Sequence, residues 1–226
     1  KIPLKSETYA LSFPAGGMTR SAVCRKGSRM ENIDDIIKRI FRESIQIKEV
    51  FLRDNLDRIT RVVDVITEAL KKGNKILLFG NGGSAADAQH IAGEFVNRFL
   101  IERPPLPAIA LTTDTSVLTS IGNDYDFAEV FSKQIRALGQ EGDIAWGFST
   151  SGGSVNVIRA LEAAKKMGLV TIGFTGRDGG TVGMISDYHL NVPSNVTPRV
   201  QEVHIVVSHA ICELVDWRLF QRPDHR

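Results

Sequence analysis

Lys75-Ile76-Leu77-Leu78-Phe79-Gly80-Asn81-Gly82-Gly83-Ser84-Ala85 is the stretch on which the reading of this chain turns. Its first five residues form a short apolar run, with the length and composition of a buried strand. A glycine-rich turn follows. Glycines let backbone N–H groups approach an anion, and a helix opening near Ser84 adds the favourable end of its dipole. Residues 80–85 also fit G-x-G-x-x-A, the dinucleotide fingerprint. That fingerprint wants an acid at the end of the next strand, about 20 residues on. Here the next strand ends Leu111-Thr112-Thr113-Asp114, and Glu102 lies ahead of it. The loop therefore reads as an anion or polyol cradle, with a dinucleotide turn and a plain strand-to-helix turn as the alternatives.

Working outward, further short runs appear at 108–111, 144–148 and 170–174, with a weaker one at 188–192. Helical patterns lie between them. Strands alternating with helices predict a parallel sheet covered on both faces, and right-handed crossovers make it doubly wound. Upstream, Ile33, Ile36, Ile37, Ile40, Phe41, Ile45 and Phe51 predict one amphipathic helix. Ile59, Val62, Val63, Ile66 and Leu70 predict a second, ended by Gly73. A last helix is announced by Thr197 as N-cap and Pro198 at its first position, running to about Phe220 before Pro223. The fold class is thus α/β, a five-stranded doubly wound sheet with an N-terminal helical segment.

The chain has 226 residues, 42% hydrophobic and 24% charged, the composition of a soluble globular domain. No apolar run approaches the ~18 residues that span a bilayer. Cys24 and Cys212 are too few for a disulfide framework, which favours a reducing, cytoplasmic compartment. The net charge of +2 is uneven. Residues 1–29 carry Lys1, Lys5, Arg20, Arg25, Lys26 and Arg29 against Glu7 alone, so the remainder is mildly acidic. That remainder has no electrostatic footprint for nucleic acid. Residues 1–29 lack helical or strand period and the apolar core of a secretory signal. They are expected to be a disordered basic extension, native or not, ahead of one domain at 30–226.

In open α/β sheets, ligands gather at the carboxyl ends of the strands. After the third run comes Ser149-Thr150-Ser151-Gly152-Gly153-Ser154, again opening a helix. Its hydroxyl and amide donors suit a phosphate without a fixed cation. Two such loops at neighbouring strand ends point to a phosphorylated polyhydroxy ligand. On the helix after the first loop, His90 and Glu94 stand at i, i+4, about 6 Å apart on one face, where both can hold one metal. The same spacing also suits an ordinary surface pair. In the last helix, Gln201 and His209 fall about 80° apart around the axis and about 12 Å apart along it. A shared metal would require both side chains to bend together, or ligands from two subunits. His204 points elsewhere and reads as a packing or surface histidine.

Taken together, the pieces are diagnostic. They are Phe79-Gly80-Asn81-Gly82-Gly83-Ser84, Asp87-Ala88-Gln89-His90 through Glu94, Gly122-Asn123-Asp124, Ser149-Thr150-Ser151-Gly152, Thr175-Gly176 with Asp178-Gly179-Gly180, and Arg199-Val200-Gln201-Glu202-Val203-His204. In this order they closely resemble the sugar isomerase (SIS) domain family, with its flavodoxin-like fold, and within it the phosphoheptose isomerases. The resemblance implies conversion of sedoheptulose 7-phosphate to D-glycero-D-manno-heptose 7-phosphate through an enediol, for bacterial heptose and lipopolysaccharide precursors. It implies a homotetramer with active sites at subunit interfaces and one zinc per subunit, held by His90, Glu94, Gln201 and His209. Asn81, Gly82, Gly83, Glu94, Asn123, Asp124, Ser149, Thr150, Ser151, Ser154 and Gln201 would bind substrate, with Glu94 and His209 catalytic. Some members have a second acid where this chain has Gly93, and an aspartate where it has Pro198. The alternative is a non-catalytic SIS protein that binds the replication initiator DnaA. This chain also resembles that relative, including 102–111 and 212–220, but the relative lacks the counterparts of Glu94 and His209.

Overall fold

A computed structural model describes residues 32–221; the extension expected at 1–29 lies outside them. Five strands form one parallel sheet: β1 (Ile76–Gly80), β2 (Ala108–Ala110), β3 (Ile144–Ser149), β4 (Val170–Gly176) and β5 (Tyr188–Val192). Their order is β2-β1-β3-β4-β5, every neighbouring pair parallel. The apolar runs near 75, 144 and 170 are buried on both sides, as a helix-covered sheet requires, whereas in the edge strand β5 only Leu190 and Val192 are buried. Strand β2, at the sheet edge, is only three residues long, and Leu111 lies just beyond it.

Side-chain alternation sorts the core into two layers. Ile76, Leu78, Ile144, Trp146, Phe148, Ile172, Phe174, Leu190 and Val192 pack against α1 (Ile33–Lys71), α2 (Gly83–Val96) and α7 (Thr197–Asp216). Leu77, Phe79 and Ala145 face the other way. They pack with Ile121 of α3 (Thr115–Asp124), Ile135 of α4 (Val130–Leu138), Val157 and Leu161 of α5 (Val155–Lys166), and Val182 of α6 (Gly180–Ile185). The strand order reverses between β1 and β3, so the two Gly/Ser loops leave the sheet side by side at its topological switch point.

Two expectations need correction. The predicted pair of N-terminal helices is one continuous helix of 39 residues, α1, about 58 Å long at 1.5 Å per residue. No Gly or Pro interrupts 33–71, and Asn55, at the junction of the two apolar stripes, is buried with its amide donating to the Phe51 carbonyl at 2.9 Å. The stripe shifts face because the helix outruns its own domain: Phe51, Ile59, Val62 and Ile66 are buried, while Ile33, Ile37, Phe41 and Ile45 are exposed. At α7 the N-cap is Val196; Thr197 is already helical, with Pro198 in the first turn as expected. The α-helix stops at Asp216 and a π-helical turn, Trp217–Gln221, completes it.

Candidate active site

The first loop enters α2 through Gly82, whose φ of +57° is comfortable only for glycine. The third loop turns through Gly152 at φ +69°. A Cβ on Gly152 would lie 2.5 Å from the Gly179 carbonyl carbon and 2.8 Å from the Gly180 nitrogen, so this loop is keyed into the loop after β4. Val182 N–H donates to the Gly152 carbonyl at 3.0 Å, closing the same junction. Within the loop, Ser149 is buried and acts as a brace. Its hydroxyl lies 2.8 Å from that of Ser154 and accepts the Ser154 N–H at 3.3 Å. Ser151 accepts the Gly153 N–H at 3.2 Å. Ser151, Gly153 and Ser154 are thereby presented at the amino end of α5, where unpaired N–H groups favour an anion.

Asn81 and Asn156 join the two loops by a reciprocal amide pair, each donating to the other at 2.8 Å. Asn156 was not singled out from sequence; its position two residues past Ser154, polar at a helix start, was the available signal. A cleft of about 500 Å³ opens beside this pair, lined by Asn81, Ser154, Asn156, Asp126, Phe127 and Arg159 among others. Asn123 and Asp124 lie exposed at the end of α3, Asn123 donating to Asp124 at 2.8 Å. Among the described residues, neither side chain makes a hydrogen bond to the loops. Thr150 lies on the loop, its carbonyl against Gly176.

The second group lies between α2 and α7. His90 Nε2 is 3.0 Å from Glu94 Oε1 and 3.2 Å from His209 Nε2, and one ligand atom from each of the three residues lies within 4.8 Å of the others. Ligands about 2.0–2.1 Å from a tetrahedral ion sit a little over 3 Å apart, so two imidazoles and a carboxylate so arranged fit a single divalent ion with one position open. Side-chain exposure is 48% for His90 and 25% for Glu94, so the group faces outward. Burial pushes the His209 imidazole below its ordinary pKa, as does His90, against the opposing pull of Glu94. Asp87, one turn before His90, has its carboxyl raised by burial, with His90 working against that rise.

The Gln201 carboxamide lies against Gly83 at the first loop. A Cβ on Gly83 would collide with the Gln201 carboxamide, so Gln201 stands at the first loop, two helical turns from His209. Helices α2 and α7 thus run side by side, with Gly83 opposite Gln201 at one level and His90 opposite His209 at the next. His204 is a packing residue, as expected: fully buried, its Nε2 3.0 Å from the Thr175 carbonyl, its pKa lowered to about 4 by burial despite that bond.

Comparison with known proteins agrees with this architecture. Residues 25–176 match the model of the SIS domain family. The phosphoheptose isomerase of Thermodesulfovibrio yellowstonii is 55% identical over 191 residues, 84% of this chain and 95% of that one. The solved phosphoheptose isomerase from Neisseria gonorrhoeae superposes with a TM-score of 0.78 at 45% identity, over 82% of this chain and 99% of the other. That from Francisella tularensis gives 0.79 at 38% identity, over 82% and 98%. With the family model matched over residues 25–176 and relatives 38–55% identical across most of both chains, the chain belongs to the SIS domain family, among the phosphoheptose isomerases.

Proposed function

We propose that this chain isomerises sedoheptulose 7-phosphate to D-glycero-D-manno-heptose 7-phosphate in the cytoplasm, with one zinc per subunit. The observation that carries the reading is the meeting of His90, Glu94 and His209 from two helices in a protein of this family. Ketose-to-aldose isomerisation takes a proton from C1 and returns it to C2 through an enediol, while a second proton passes from O1 to O2. Glu94 is the base for the carbon proton, because a carboxylate on a flexible side chain can reach both carbons. His209, stacked beside Phe99, gives and takes the oxygen proton. Bound at the trio, zinc supplies Lewis-acid stabilisation of the developing oxyanion. Ser151, Gly153 and Ser154 hold the phosphate at the amino end of α5, and Asn81 meets the sugar hydroxyls; Thr150 and Ser149 shape that loop.

The outward face of the trio and the exposed half of α1 support a homotetramer whose active sites lie between subunits. In that arrangement Gln201, Asn123 and Asp124 reach substrate or metal from a neighbouring copy. The initiator-binding alternative has no use for such a trio, which favours the enzyme. The deciding experiment incubates purified protein with sedoheptulose 7-phosphate, with zinc or with chelator, and follows aldoheptose phosphate by NMR. Product with zinc and its loss with chelator are expected; no product under any metal condition sinks the reading.

A further inference from the structure

The connection from α2 to β2 reaches back to both helices that carry the trio, and Arg103 is its centre. This side chain is 1% exposed. Its Nη2 donates to the Glu94 carbonyl at 2.8 Å, and its Nη1 to the carbonyls of Phe95 at 2.7 Å, Pro104 at 3.2 Å and Asn97 at 3.4 Å. Its Nε donates to Asp216 Oδ1 at 2.9 Å, and the Asp216 side chain is 5% exposed. The last carbonyls of a helix have no partner within it. Here a guanidinium supplies those partners, and one of the carbonyls belongs to Glu94 itself. Asp216 lies on α7 two turns beyond His209. Four residues before Arg103, Phe99 stacks on the His209 ring with centroids 5.4 Å apart.

A buried ion pair adds little net stability over apolar side chains of the same shape. What it adds here is geometry: one planar fork ties the Glu94 turn of α2 to the end of α7. We propose that Arg103, paired with Asp216, is a positioning residue that sets the separation of Glu94 from His209, and through it the metal affinity of the trio. The inference rests on the reading of His90, Glu94 and His209 as metal ligands.

Arg103→Ala strands a buried carboxylate and several carbonyls, so the test uses Arg103→Lys and Asp216→Asn. Lysine keeps the charge but cannot span Asp216 and the Glu94 and Phe95 carbonyls at once. Leu161→Ala, in the core layer on the opposite face of the sheet, serves as the control for lost stability alone. Zinc affinity is read by competition with a chromogenic chelator, alongside thermal unfolding of the metal-free proteins and the steady-state constants. Arg103→Lys and Asp216→Asn should weaken zinc binding by roughly 10–100-fold. They should lower kcat with KM for the phosphosugar within about twofold of wild type. Leu161→Ala should lose melting temperature with zinc affinity unchanged. Zinc affinity in both test variants equal to that of Leu161→Ala overturns the positioning role. Failure of wild-type protein to bind zinc at all overturns the ligand reading beneath it, and the positioning role with it.

Discussion

In the proposed mechanism Glu94 would carry two duties, holding an ion and moving a carbon-bound proton, and a carboxylate on a metal is a weaker base. A shift of the carboxylate during turnover reconciles them. Glu94→Gln and His209→Ala should each lower turnover by about 10²–10⁴, measured as initial rates on sedoheptulose 7-phosphate with folding checked by circular dichroism. Near wild-type rates in both variants would remove these residues from the chemistry. Gly152 is a different kind of residue-level constraint. Gly152→Ala combines a left-handed backbone with a collision against the backbone of Gly179 and Gly180. It should cost at least about 2 kcal/mol, read as a lower urea midpoint at unchanged slope. Glycine at this position was visible in sequence as loop composition; its contact with 179–180, some 27 residues away, was not.

At the scale of elements, the entries to β1 and β3 are held by a single carboxylate. Asp143 accepts from Lys75 N at 2.9 Å, Lys75 Nζ at 2.5 Å, Gln140 N at 2.8 Å and Asn74 Nδ2 at 3.3 Å. Burial pushes its pKa up, but these donors outweigh burial and hold it below the ordinary carboxylate value. With the folded value below the unfolded one, near 3.9, the stability from Asp143 is complete above that pH. It is lost as pH falls through the folded value. Asp143→Asn should therefore cost about 1–3 kcal/mol at neutral pH and flatten the acid limb of a stability–pH curve. An unchanged acid limb would assign that limb to other groups, such as Asp187, whose carboxyl is likewise pushed up by burial but held low overall by Thr171 and Lys165.

At the scale of the whole molecule, α1 shows what one chain leaves unfinished. Ile33, Ile37, Phe41, Ile45, Leu52 and Leu56 are exposed along a helix that projects past its own core. Apolar stripes of this extent mark interaction surfaces, and in the proposed assembly this one meets a second copy of the chain. Phe41→Glu combined with Ile45→Glu should lower the oligomeric mass in sedimentation equilibrium and reduce turnover with it. Full mass retained in the double variant would place the assembly interface elsewhere.

The sequence by itself determined the fold class, because period-2 and period-3.6 apolar patterns and the glycines between them are local signals. It also placed His90 beside Glu94, since i, i+4 spacing is a property of one helix. Its reading of residues 33–71 as two helices failed for an equally local reason: the stripe changes face when the buried partner ends, which looks like a break although nothing stops the helix. Only the tertiary structure decided that His209 joins the trio while Gln201 stands by Gly83, because that depends on how α2 and α7 lie against each other. The pairing of Asn81 with Asn156 and of Arg103 with Asp216 was decided the same way. Those contacts span 75 and 113 residues, and no periodicity encodes a distance that only packing creates.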